Sequence, residues 1–227
     1  MVTTRDLTAK DPTTTQRRLD PARIVASALA IADGEGLPAV TIRRLAQEHE
    51  VTPMALYRHF KDKDELLGAL ADRLLSDIDM PEPSEAPWDW QVREVLAAVV
   101  DALRPHPEVA NLTLPRILLT EPGLELAERT LGLLVQGGFT PDQAGEIGRQ
   151  SICSLITLVT TEPGGGVDPE VREQQIRNKR AAIAMLPPQR YPNVVAAADS
   201  LTGCEDPQAY YEIGLDLVVA GIRGMVK

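Results

Sequence analysis

The apolar residues of this chain recur at helical spacing in segment after segment, each opened by a capping residue or proline or closed by glycine or proline. Asp20 precedes Pro21, and Ile24, Ala28, Leu29 and Ala32 then follow in the three- and four-residue step of a buried helical stripe until Gly34 and Gly36. Proline costs little in a first helical turn, because the N–H it lacks would have no intrahelical partner there. Thr41 opens a second segment through Ile42, Leu45 and Ala46. Thr52-Pro53 opens a third, to about residue 59, and Asp62 a fourth that carries Leu66, Leu67, Leu70, Leu74 and Leu75. The proline-rich stretch from Met80 to Pro87 then stops the pattern.

Beyond it the spacing predicts helices over residues 88 to about 103, 121–136, 141 to about 161, 168–185 and 207–225, the fourth of them amphipathic. Aromatic residues make up only 4% of the chain. Ala, Leu, Arg, Glu and Gln dominate between the turns, and side chains of this kind lose little freedom in a helix. An all-α protein is expected, with an N-terminal three-helix helix-turn-helix domain and a C-terminal helical bundle. Its parts are a mobile arm over residues 1–18 ending in Arg17 and Arg18, a head over 19–65, a linking helix with the proline-rich seam over 66–87, and a body over 88–227.

The net charge of −10 argues against a polyanionic partner until its distribution is read. Residues 1–75 hold 11 basic and 11 acidic side chains, whereas residues 76–227 hold 12 and 22, so the whole excess lies in the body. A neutral head with clustered bases can meet phosphate while an acidic body stays off random polyanions. Cys153 and Cys204 lie far apart and outside metal-ligand spacing, which fits buried thiols in a reducing compartment. A signal peptide and a membrane span are not expected, so the protein is expected to be cytoplasmic. The chain shows no phosphate-cradling glycine loop, no Cys/His nucleophile pair and no two-histidine metal helix. Gly164 to Gly166 follow a helix and read as a flexible loop. These absences count against an enzyme, and neither a cofactor nor a metal site is expected.

Residues 41–63 carry the chemistry. Leu45, Ala46, Val51, Leu56 and Phe60 can hold two short helices at a fixed angle, which leaves Arg43, Tyr57, Arg58, His59, Lys61 and Lys63 to face outward. A DNA reader needs one helix in the major groove with its N-terminal residues at base edges and a preceding helix across the backbone. The helix starts at Thr41 and Thr52 offer N–H groups and hydroxyls to phosphate. Pro53, Met54 and Ala55 sit where base edges are expected and read by shape and by thymine methyls, while Arg43 supplies the directional hydrogen bond, to guanine. Lys63 and His59 are placed at phosphates, and His49 is expected to face solvent.

The runs Ile42-Arg-Arg-Leu-Ala46, Ala55-Leu-Tyr-Arg-His-Phe60 and Lys61-Asp-Lys-Asp-Glu-Leu-Leu67 resemble the DNA-binding domain of the Tet-repressor family. Trp88, residues 135–140 and residues 211–222 are similar to the body of the tetracycline-responsive branch. The resemblance implies a homodimeric transcriptional repressor that grips a palindromic double-stranded operator and is released when a small molecule binds the body. By ungapped register through Phe139, the histidines with which that branch holds a magnesium–tetracycline chelate fall near Leu114 and Cys153, neither of them a hard-metal ligand. An apolar or aromatic effector is expected instead. Polar residues near helix breaks, Arg104, His106, Asn111 and Arg116, are candidates for its pocket, and Trp88 for stacking, although a tryptophan at a helix start more often serves as an interdomain wedge. Ile147, Ser151 and Leu155, with Gly214, Leu217, Val218 and Gly221, are candidates for the dimer interface, where small residues let helices approach closely; an intramolecular core is the competing reading. Rival functions are an activator with the same head, a helical enzyme, and a scaffold.

Overall fold

The computed structural model describes residues 19–163, 165, 168–203 and 206–226. The predicted arm with Arg17 and Arg18, the glycines Gly164 and Gly166, and Cys204 lie outside the described residues. Among the described residues all regular structure is helical, and no helix is long and apolar enough to cross a membrane.

In the head, α1 (Pro21–Glu35) starts where Asp20 accepts a hydrogen bond from the Ala22 N–H, and it ends at Gly36, whose φ of +83° few side chains tolerate. The Thr41 hydroxyl caps α2 (Ile42–Glu48) by accepting from the Arg44 N–H at 3.1 Å. Next comes α3 (Pro53–Leu56), shorter than the spacing predicts. The Leu56 carbonyl accepts from both the His59 and Phe60 N–H groups, which tightens the chain into a turn that drops Phe60 into the core. Asp62 then caps α4 (Lys63–Ser76) through the Glu65 N–H at 2.8 Å. Ile24, Leu45, Leu56, Leu66 and Leu70 are fully buried where these helices meet. Each such side chain contributes about 2 kcal/mol by leaving water.

The body is arranged around α5 (Trp88–Leu103), which packs on α7 (Glu121–Gln136), α8 (Pro141–Thr160) and α12 (Pro207–Met225). Gln91, Val92, Val95, Leu96, Val99, Val100 and Leu103 form its buried face. Between α5 and α7 lie the short α6 (Pro107–Ala110) and a 3-10 segment, Leu114–Leu119, too brief for apolar periodicity to announce them. Arg93 donates to Asp216 at 2.9 Å and to Glu212, tying α5 to α12 and holding the Glu212 carboxyl below its ordinary range. Trp88 packs edge-on against Phe139, with ring centroids 6.1 Å apart, and lies so close to Gly137 that a Cβ there would sit 2.7 Å from its ring.

α9 (Pro169–Ala184), α10 (Pro192–Ala196) and α11 (Ala198–Thr202) pack chiefly on one another, and α9 buries no residue within the protomer despite its predicted amphipathicity. The dimer candidates divide in two. Leu155 is fully buried in the protomer core, and a Cβ on Gly214 would lie 2.6 Å from Leu158, so these two serve the crossing of α8 on α12 inside one chain. Ile147, Ser151, Leu217, Val218 and Gly221 line an open groove between the same helices. Ile213, Leu217 and Met225 stand exposed along α12.

Candidate nucleic-acid interface and cavity

Two neighbouring arginines on α2 have opposite surroundings. Arg44 donates to Glu48 at 2.7 Å and to Glu35 at 3.1 Å, and these hydrogen bonds, Glu48 first, raise its pKa and clamp α2 to the end of α1. Arg43 is exposed, and its guanidinium has no ion pair or hydrogen bond among the described residues. The exposed side chains of Tyr57, Arg58 and Lys63 are likewise without such partners among the described residues, and Met54 is 69% exposed at the tip of α3. Thr52 and Pro53 are exposed beside it, Ala55 and His59 are half-buried, and Lys61 lies 3.7 Å from Asp62. The Thr41 hydroxyl is engaged as a cap, whereas that of Thr52 makes no cap hydrogen bond.

The α2–α3 turn brings these groups to one end of the head. Glu50 adopts a φ of +54° there, a left-handed conformation that costs a non-glycine residue roughly 1–2 kcal/mol. His49, expected in solvent, is half-buried with its Nε2 atom enclosed and without a hydrogen-bond partner among the described residues. As the C-cap of α2 it donates its backbone N–H to Leu45 and stays close against the turn.

The body holds an apolar cavity of about 460 Å³ between α5, the 3-10 segment, α7 and α8, within the size range of small-molecule sites. Leu96, Val99, Ile117, Leu126 and Leu131 are among its walls, and Leu114 and Cys153 both lie on them. No carboxylate or imidazole stands among the lining residues, so the wall as described offers no hard-metal ligand set. Cys153, expected as a buried core thiol, is half-buried on this wall.

None of the five residues expected at an effector pocket lines the cavity, and four of them are engaged elsewhere. Trp88 packs inside the body against Phe139 and Gly137, neither between head and body nor on the cavity. Arg104 lies over the Tyr211 ring, 4.7 Å from its centroid, and donates to Gln208. Asn111 is exposed at the C-terminal end of α6, where its backbone N–H donates to the Val109 carbonyl. His106 meets Asp33 of α1 through Nδ1 at 2.8 Å, and Arg116 grips Asp72 of α4 with two hydrogen bonds of 2.7 Å. The last two therefore join body to head. Sequence reasoning missed the aliphatic cavity wall, whose residues carry the same signal as ordinary core.

An exposed helix-turn-helix head, coupled through an ion pair and a histidine–carboxylate hydrogen bond to a helical body with an apolar cavity, defines a one-component DNA-binding regulator. Residues 24–70 match the family described as bacterial regulatory proteins, tetR family, and residues 80–226 match the tetracyclin repressor-like C-terminal domain. The tetracycline repressor protein class E of Escherichia coli is 32% identical over 176 residues, covering 75% of this chain and 77% of its own length. The HTH-type transcriptional repressor DrrR1 of Streptomyces coeruleorubidus is 26% identical, over 90% of this chain and 77% of its own. The structure of ActR from Streptomyces coelicolor in complex with actinorhodin superposes with a TM-score of 0.76 at 30% identity, covering 91% of this chain and 97% of that one. The chain belongs to the TetR family of transcriptional regulators.

Proposed function

We propose that this regulator is a homodimeric repressor that grips a palindromic operator and is released when a small molecule with an apolar or aromatic framework fills the body cavity. The observation that carries the reading is the Arg116–Asp72 pair, because its two ends belong to the two parts that must communicate. Arg116 lies in the 3-10 segment whose Leu114, Ile117 and Leu118 face the cavity, and Asp72 lies on α4, which leaves the reading turn directly. A ligand that displaces the segment pulls on α4 and changes the spacing of the two reading heads. Operator DNA favours a spacing of one duplex turn, roughly 34–36 Å, so a ligand preferring another spacing lowers affinity by its differential binding energy. Couplings of this kind amount to about 1–3 kcal/mol.

Thr41, Arg43, Thr52, Pro53, Met54, Ala55, Tyr57, Arg58, His59, Lys61 and Lys63 form the DNA surface in this reading, with Arg43 on a base edge. The named relatives that are repressors, and the ligand in the ActR structure, support it. Selection of bound sequences from a random DNA pool tests it: an enriched palindrome is expected, and a folded protein that enriches nothing would sink the DNA-reading claim.

Two variants probe the remaining parts. Asp72→Asn and Arg116→Met each break the link, whose ends are one-third exposed and whose loss costs at most about 1 kcal/mol of stability. The expected result is near-normal operator affinity with a several-fold higher effector concentration needed for release, read in a titration of the protein–operator complex. In this reading Leu217, 70% exposed on α12, belongs to the protomer interface. Leu217→Glu buries a charge there without disturbing the protomer core, so sedimentation is expected to show monomers at concentrations where the parent chain is dimeric.

A further inference from the structure

We infer that the molecule taken into the body cavity is an organic anion: a flat apolar framework lying on a glycine floor, with one acidic group held at Arg149. The inference rests on reading the cavity as a ligand site and specifies the chemistry of its occupant.

The floor is one face of α8. Gly145, Gly148, Arg149, Ile152 and Cys153 all line the cavity and follow the three- and four-residue step of a single helical stripe. Glycine inside a helix is less stable than alanine. A Cβ built on Gly145 would nevertheless meet nothing within 4 Å, and one on Gly148 would make only an ordinary contact with Leu131. Packing within the protomer therefore does not call for glycine at Gly145. The groove residues Ile147 and Ser151 lie on the opposite face of the helix, so the crossing with α12 does not call for it either. What the missing side chain leaves is open space beside aliphatic walls, the shape that admits a planar ring system.

Among the described residues Arg149 is the one charged residue on the lining. It is exposed and yet on the wall, which puts it at the mouth, and it has no ion pair or hydrogen bond among the described residues. The Thr130 hydroxyl donates to the Leu126 carbonyl at 2.8 Å, and a thiol is a weak donor, so Arg149 holds the strongest uncommitted donors at the site. A guanidinium presents a planar fork that matches a carboxylate or a sulfonate. A ligand with apolar rings and one acid at its edge satisfies both halves of the site, whereas a neutral ligand leaves the fork unused.

Two dyes with the same rings test this on the full-length protein: 8-anilinonaphthalene-1-sulfonate and the uncharged N-phenyl-1-naphthylamine, with binding followed by fluorescence. Gly145→Leu fills the floor and is expected to abolish binding of both dyes, with a melting temperature at or above that of the parent chain showing that the fold is kept. Arg149→Met keeps the apolar stem and removes the fork. It is expected to weaken the sulfonate dye at least tenfold and to change the uncharged dye less than twofold. If Gly145→Leu blocks both dyes but Arg149→Met treats them alike, the anion assignment is overturned and the cavity reading stands. If neither dye is held, or Gly145→Leu leaves both bound, the cavity reading falls and the proposal with it.

Discussion

Arg43→Ala is expected to weaken operator binding about 5- to 150-fold, the range of a bidentate arginine–guanine contact worth roughly 1–3 kcal/mol. The expectation follows from the contrast between Arg43 and Arg44. The second is spent on Glu35 and Glu48, so its removal loosens the α1–α2 clamp, whereas the first has no partner among the described residues and its removal is expected to leave the fold intact. Tyr57→Ala should weaken binding as well, since its half-exposed ring stands on the turn after α3. Lys63→Ala gives a different signature. A lost phosphate contact lowers affinity for all sequences alike and flattens the salt dependence by about one counterion, whereas Arg43→Ala relaxes the preference at one base pair. Fluorescence anisotropy with the selected operator and single-base variants, at several salt concentrations, separates the two. If Arg43→Ala and Tyr57→Ala both bind like the parent chain, the reading surface lies elsewhere.

The second large effect is on stability. Gly123→Val is expected to cost about 3 kcal/mol, at the upper end of what overpacking usually costs. A Cβ at Gly123 would sit 2.2 Å from the Ile117 carbonyl oxygen and 2.7 Å from its Cα, and backbone cannot swing aside as a side-chain tip does. The first turn of α7, or the 3-10 segment packed on it, must move. For a chain of this size that corresponds to a drop in melting temperature of about 6–12 °C. The displaced segment carries both Ile117 of the cavity wall and Arg116 of the link to α4, so the surviving folded protein should also respond poorly to effector. Gly214→Ala is the control. Its new Cβ meets the two Cδ atoms and Cγ of Leu158, a side chain and not backbone, so a smaller loss than at Gly123 is expected.

The reading head was legible in the sequence because its determinants are local. Asp20, Thr41 and Asp62 cap the helices they precede, with their side chains on backbone N–H groups two or three residues on. The helical step then separates Leu45 and Leu56, both fully buried, from Arg43 and Tyr57, which are exposed. The left-handed Glu50 gave no warning, since glutamate carries no signal for that conformation. In the body, polar residues beside helix breaks looked like pocket residues, but His106 and Arg116 are bound to carboxylates of Asp33 and Asp72, 73 and 44 positions away.

Caps, prolines, glycines and apolar spacing act within a few residues, so the sequence by itself determined where the longer helices begin and end and which face of α1, α4, α5, α7, α8 and α12 is buried. It also determined the chemistry presented by the α2–α3 turn. Which aliphatic side chains close on one another and which enclose a void was decided only in the tertiary structure. Leu155 and Leu114 are equally apolar, yet one fills the core and the other faces the cavity. The same holds for the partners of Arg116 and His106 and for the side of α12 left uncovered. The physical reason is that hydrophobic burial is non-directional and depends on what lies opposite, and what lies opposite is set by chain segments distant in sequence.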